Sequence, residues 1–294
     1  MFQIISDAAC DFTNEEAAKL GVALVPFYVS FEDEFLKIGT DITTEEFFTR
    51  LQNDKGVFPT TSQPNPGDYV EIFTPHLEAG KDLLVLTISS QLSGSFNSAS
   101  VAADLMRDEF PERKIITIDS LTGSIAQGLI LHELIKMRDA GFTVEQTAEL
   151  GVQVRDSSKI YITLDTLEYA KRGGRMGSTT AMIGGLLALR PILQVVDGKV
   201  AQLDSIRGKK NVIRLLQQGA VEALADETER INLAVGHIFS EKDATLFKTS
   251  LETALDIKIQ NPTTEIGAVI GAHAGPGALA IAYCKKYQAV AGGE

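Results

Sequence analysis

Cysteine is nearly absent. Cys10 and Cys284 are the whole complement in 294 residues. Two thiols that far apart make no disulfide framework, so a reducing, cytoplasmic compartment is expected. Positive charge is also scarce. The net charge of −12 argues against nucleic acid or an anionic membrane surface as the main partner. No run approaches the roughly 18 apolar residues of a membrane span, so stable membrane insertion is not expected. The opening Met1-Phe2-Gln3-Ile4-Ile5-Ser6-Asp7 lacks the basic region and long apolar stretch of a signal peptide. The four histidines (His76, His132, His237, His273) are dispersed and form neither H-x-x-x-H nor H-E-x-x-H. With the cysteines unclustered as well, no metal site is expected. Neither G-x-x-x-x-G-K-[ST] nor G-x-G-x-x-G occurs in the required context, so nucleotide binding has no sequence support.

What is present is an α/β rhythm. The chain is 44% hydrophobic and long enough for one large domain or two ordinary ones. Phe2–Ile5, Leu83–Ile88, Lys114–Ile118 and Ile160–Thr163 read as short buried strands. Helical segments separate them. Thr13 with Glu16, and Thr43 with Glu46, look like capping boxes, and Asn65-Pro66 opens another helix. Val22–Phe31 reads as a second strand, held to an edge or bulge by Pro26. Phe58–Pro66 reads as an extended, proline-stiffened loop. Such alternation implies βαβ units and a mainly parallel sheet, with functional loops at the carboxyl ends of the strands. Asp7, Ser93 and Ser120 each follow a strand and could share one crevice.

The second half changes texture. Lys171–Gly177 is basic and glycine-rich: either a flexible linker or a loop offering arginines to an anion or an acidic partner. Thr179–Leu189 is an almost wholly apolar helix around Gly184-Gly185. Ile192–Val196 and Val200–Ile206 flank Asp197-Gly198, a strong hairpin signal. Ile231–Val235 and Glu265–Ile270 read as strands. Gly271-Ala272-His273-Ala274-Gly275-Pro276-Gly277 reads as the turn into a closing helix to Tyr287. Two α/β units are expected, residues 1–160 and 161–294, joined between Asp156 and Gly177.

The stretch Ser89-Ser90-Gln91-Leu92-Ser93-Gly94-Ser95 carries the most chemistry. It lies between an apolar strand and a helix start, where backbone N–H groups and hydroxyls favour an anion. The same serines could equally be helix caps. A nucleophilic reading would use Ser93 with His273 and Asp7, as a serine-dependent acyl hydrolase or acyltransferase. The G-x-S-x-G elbow of such enzymes is absent, however.

Together these segments resemble the DegV family, the bacterial fatty-acid-binding proteins that include the FakB subunit of fatty acid kinase. The resemblance rests on Ser6-Asp7 with Asp11, Thr61-Ser62-Gln63-Pro64, Ser90–Ser95, Asp119-Ser120, Gly173-Gly174-Arg175, Arg190-Pro191-Ile192-Leu193 and Gly271–Gly277, in that order. Two positions depart from the family pattern: Ala8 where a serine is common, and Ala272 where a threonine is. The resemblance implies an α/β protein of two domains, an N-terminal mainly parallel sheet with flanking helices and a C-terminal mixed α/β domain, with a long-chain fatty acid buried between them. It implies a carboxylate held by Thr61 and Ser93, with Gly94 allowing close approach and Ser62 and His273 nearby. It further implies a separate ATP-dependent kinase subunit that makes the acyl phosphate for phospholipid synthesis and meets Arg175 and Arg207. The chain itself would be no enzyme and would need no cofactor beyond its fatty acid ligand. The apolar tunnel is expected to draw on Phe96, Ile125, Met182, Ile183, Leu186 and Leu187.

Overall fold

The computed structural model describes residues 2–32, 34–53, 56, 58–175 and 189–292. Met182, Ile183, Leu186, Leu187 and the paired Gly184-Gly185 lie outside the described residues.

Strand β1 (Gln3–Asp7) runs through a one-turn 3-10 segment (Ala8–Cys10) into α1 (Asn14–Lys19). The Thr13/Glu16 capping box that opens α1 is formed in both directions, satisfying two otherwise unpaired N–H groups. Then come β2 (Val22–Val25), β3 (Tyr28–Phe31), β4 (Glu34–Lys37), α2 (Thr44–Asn53), β5 (Thr60–Ser62) and α3 (Pro66–Glu78). Next are β6 (Leu83–Thr87), α4 (Ser95–Glu109), β7 (Ile115–Asp119), α5 (Ser124–Asp139), α6 (Val144–Asp156), β8 (Lys159–Thr163) and α7 (Glu168–Gly173). After these the described elements are β9 (Leu189–Val196), β10 (Lys199–Arg207), α8 (Lys209–Leu224), β11 (Ile231–His237) and α9 (Glu241–Leu255). The chain closes with β12 (Thr263–Glu265), α10 (Ala268–Ala274), β13 (Leu279–Lys285) and α11 (Tyr287–Ala291).

Two main sheets and one small sheet result. The first is fully parallel, in the order β2-β1-β6-β7. Its central strands β1 and β6 are buried at every position, as strands covered on both faces must be. The second is mixed, in the order β10-β9-β8-β13-β11-β12, antiparallel except for the β11/β12 pair. The small sheet β4-β3-β5 is antiparallel and carries Thr61 at its edge. In the parallel sheet the winding reverses between β1 and β6, so a crevice opens beyond their carboxyl ends. Asp7 and the serine turn sit at that point.

Helix α5 lies between the two main sheets. Twelve of its sixteen residues are buried, so it is apolar nearly all round rather than amphipathic. On one side Gln127 donates its amide to Asp7 Oδ1 at 2.9 Å. Further along, Glu133 accepts from Asn232 Nδ2 at 3.3 Å and from the Tyr287 N–H at 2.8 Å. A continuous core joins both sheets, from Phe2 and Ile4 to Ala280 and Cys284.

Four sequence readings need correction. Val22–Phe31 is two strands in two sheets, because Pro26 has no N–H to continue a ladder. The Phe58–Pro66 segment is not all loop, since Thr60–Ser62 pairs with β3. The strand expected over Glu265–Ile270 stops at Glu265, and Ala268–Ala274 is the helix α10. The closing helix to Tyr287 is instead strand β13, inserted between β8 and β11. Leu279-Ala280-Ile281-Ala282 is alanine-rich and good for helix by propensity. Burial on both faces of a central strand overrides that preference. Strand β8 spans the expected 160/161 boundary, and its Lys159 and Ile160 pair with β13 in the mixed sheet.

Candidate functional site

The serine turn is held from below by a buried carboxylate. Asp7 is fully buried and accepts from the Ile88 N–H (3.0 Å), Ser95 Oγ (2.6 Å), Gln127 Nε2 (2.9 Å) and the Ala9 N–H (3.3 Å). Burial raises its pKa, and those hydrogen bonds oppose the rise. Ser95 also contacts the Tyr69 hydroxyl at 2.7 Å, tying α3 to the start of α4. Asp7 is therefore an orienting residue for the turn, not a partner of any histidine.

Within the turn the backbone donors are already committed. Ser89 N–H donates to Thr122 O, Ser90 N–H to the Asp119 carboxylate and Gln91 N–H to Ser89 Oγ. Leu92 and Ser93 N–H donate to Ser89 O, and Ser95 N–H to Ser93 Oγ at 3.3 Å. Gly94 N–H donates to Gln63 Oε1 at 2.8 Å. Gly94 allows a close approach by Gln63: a Cβ there would stand 2.3 Å from Gln63 Nε2. Hydroxyls, not turn amides, are the available donors.

Beside the turn lies a cavity that encloses about 980 Å³ of space between atoms, part of it open to solvent. Its polar lining gathers Thr61, Gln63, Ser93, Arg175 and His273, linked by the Thr61–His273 contact and by the Gln63–Gly94 bond next to Ser93, with Ser124 and Gln194 also in the wall. Most of the remaining lining is apolar, with Ile88 and Leu92 from the parallel sheet's side and Ile160, Ile162, Leu193, Val195 and Val200 from the mixed sheet. Helix α10 adds Val269, Ile270 and Ala274. The hairpin turn between β9 and β10 docks on the serine turn, with Ser89 Oγ donating to Gly198 O at 2.8 Å.

His273 sits in the last turn of α10, not after a strand. Its Nε2 is 2.7 Å from Thr61 Oγ1. Its Nδ1 is buried with no hydrogen-bond partner among the described residues. Burial, assisted by the nearby Arg175 charge, pushes its pKa down to about 4, so the imidazole is neutral at pH 7. Gly173 leaves room for it, since a Cβ at that position would be 2.1 Å from Nδ1. A Ser93–His273 pair is not formed here: His273 contacts Thr61, and among the described residues no carboxylate meets its Nδ1.

The other expected residues disperse. Ser62 is exposed in β5, and Arg207 is exposed at the end of β10, away from the cavity lining. Phe96 is partly buried on α4 and does not line the cavity, because the neighbouring Ser95 is the residue turned onto Asp7. Ile125 packs over Gly236 of β11 and lines a second cavity with Cys10, Asp11, Glu16 and His132. Sequence reasoning missed Gln63 as a site residue, although Thr61-Ser62-Gln63-Pro64 held it in view. It also missed the apolar lining from β8, β9 and β10, whose side chains look like ordinary core residues. Among the described residues no group of His, Cys, Asp and Glu is placed to hold a metal. Among the same residues no helix is long and apolar enough to cross a membrane.

A family model described as an uncharacterised protein of the DegV family matches residues 1–286. The chain belongs to the DegV family. A DegV domain-containing protein of Clostridium acetobutylicum is 32% identical over 281 residues, covering 96% of both chains. One from Deinococcus radiodurans is 31% identical, covering 95% of this chain and 96% of its own. Among solved structures, a stearic-acid-binding protein from Eubacterium ventriosum superposes with a TM-score of 0.92 at 30% identity, covering 98% of this chain and 99% of that one. A DegV family protein from Thermus thermophilus, described by its fatty acid binding, gives 0.85 at 29% identity, over 97% and 99% of the two chains. The α/β fold with one parallel and one mixed sheet is thus the DegV fold.

Proposed function

We propose that this DegV protein binds a long-chain fatty acid in the cavity beside the serine turn, carboxylate toward Thr61 and Ser93, and presents that carboxylate to a separate ATP-dependent kinase. The product would be an acyl phosphate for phospholipid synthesis. The observation that carries the reading is the cavity's lining: the Thr61 and Ser93 hydroxyls in a wall made mostly of aliphatic side chains. Burying a chain of about sixteen carbons at ~0.8 kcal/mol per methylene gives on the order of 12 kcal/mol gross, before ordering costs. The carboxylate needs donors at its buried end or it would protonate. Two hydroxyls supply them without a buried counter-charge. The fatty acids bound by the Eubacterium and Thermus relatives support the same ligand class. Arg175 in the polar lining and the exposed Arg207 are the residues proposed to meet the kinase and the new phosphate. A protein in this role works in the cytoplasm as the lipid-binding component and leaves catalysis to its partner.

The test combines the purified chain loaded with palmitate, a bacterial fatty acid kinase catalytic subunit and ATP, with hydroxylamine to trap acyl phosphate. Hydroxamate should form, and Thr61→Ala and Ser93→Ala should each lower it while the fold survives. Unchanged turnover in both variants would place the carboxylate elsewhere. Hydrolysis of acyl esters without any kinase, lost in Ser93→Ala, would support an enzyme instead.

A further inference from the structure

Gln63 stands between the two halves of the polar lining. It follows β5 directly, two residues after Thr61, and its backbone is fixed by the buried Pro64 and by Asn65, which caps α3. Its side chain crosses to the serine turn, where Oε1 accepts the Gly94 N–H at 2.8 Å, one residue after Ser93. That bond decides which end of the amide is which: a backbone N–H needs an acceptor, so the oxygen lies on Gly94 and the NH2 group is the free end. Nε2 donates to no protein group among the described residues, and Gln63 lines the cavity with Thr61 and Ser93. The absence of a Cβ at Gly94 is what lets the amide lie this close.

A carboxylate offers about four lone-pair sites and is costly to bury with any of them empty. Thr61 and Ser93 each bring one hydroxyl. The amides of residues 89–95 are all spent within the fold. Arg175 Nη1 donates to Gly173 O at 2.6 Å. We infer that Gln63 is a third head-group donor, its NH2 group hydrogen-bonding the ligand carboxylate while Gly94 holds its oxygen in place. This rests on the fatty-acid reading above. It adds a specificity: a neutral donor anchored by its own acceptor favours a head group that accepts, such as an ionised carboxylate, over one that donates.

The experiment is binding of laurate and palmitate by isothermal titration to delipidated parent, Gln63→Leu, Gln63→Glu, Thr61→Ala and Ser93→Ala. Gln63 is exposed, so its variants should fold, with circular dichroism as the check. Loss of one hydrogen bond to a charged group predicts roughly tenfold or more weaker binding for Gln63→Leu. Gln63→Glu should lose more at pH 8 and recover partly toward pH 5 as the new carboxyl protonates. In the parent, the Gln63 side-chain NH2 resonances, identified by their loss in Gln63→Leu, should shift on laurate addition. Parent-like affinity in both Gln63 variants, with Thr61→Ala and Ser93→Ala weakened, would overturn this inference and leave the fatty-acid reading standing. Failure of the parent to bind either acid would remove the fatty-acid reading and this inference together.

Discussion

Thr61 Oγ1 and His273 Nε2 lie 2.7 Å apart, although 212 positions separate them in the chain. The contact joins the small sheet to helix α10 at the polar lining of the cavity. It also fixes a tautomer. Among the described residues Nδ1 is buried and unpaired, and a buried N–H without an acceptor is the rarer and costlier orphan. The proton therefore belongs on Nε2, where it is donated to Thr61, leaving the Thr61 hydroxyl proton free to point at a carboxylate.

His273→Gln should keep most fatty acid affinity, because its amide can donate to Thr61 in place of Nε2. His273→Leu should bind several-fold more weakly, with the threonine hydroxyl no longer oriented. Fluorescent fatty acid displacement measures both. Equal affinity in the two variants would mean that His273 does not set the Thr61 proton.

Asp11 supplies a pH signature. Its carboxylate accepts from Ser124 Oγ at 2.5 Å and from the Gly267 N–H at 2.9 Å, so it ties the starts of α5 and α10 together. Burial raises its pKa to about 7, above the usual 3.8. A carboxyl whose folded pKa is raised contributes stability that is complete below pH 3.8 and is lost as pH rises through 7. Asparagine keeps an acceptor for Gly267 and tolerates the positive φ of 63° at this position. Asp11→Asn should melt near the parent's temperature at pH 4 and a few degrees above it at pH 8. A variant that melts below the parent at pH 8 would contradict the assignment. His273 works in the opposite sense: its pKa is lowered to about 4, so its contribution is present above pH 6.5 and fades as pH falls toward 4.

The hairpin latch is testable through Gly198. Its φ is +78°, and a Cβ there would stand 2.5 Å from Ser89 Oγ. Gly198→Ala should cost about 1–3 kcal/mol, from backbone strain together with loss of the Ser89 bond. Ser89→Ala should cost about 1 kcal/mol. Urea denaturation gives both values, and a neutral Gly198→Ala would show that the turn does not seat on the serine loop.

Much of this was legible in the sequence where chemistry is local. The Thr13/Glu16 and Asn65-Pro66 helix starts, the Asp197-Gly198 hairpin and the strand-to-helix position of Ser93 follow from turn and cap preferences acting over a few residues. Thr61 and Ser93 were marked by the family resemblance, and both line the cavity. What was not legible depends on distant partners. Leu279–Lys285 is a strand only because β8 and β11 flank it, and Ala268–Ala274 is a helix although its apolar run suited a strand. Ile162, Leu193 and Val200 line a cavity rather than fill a core, a distinction that hydrophobicity does not encode. The Gly94–Gln63 bond was hidden for the same reason, since neither residue announces the other across 31 positions.

The most direct test is the mass of what the cavity holds. Native mass spectrometry of the purified chain, followed by organic extraction, should show one long-chain fatty acid per protein molecule, removable by delipidation and restored by added palmitate. A chain that carries no lipid and takes none up would contradict the account at its centre.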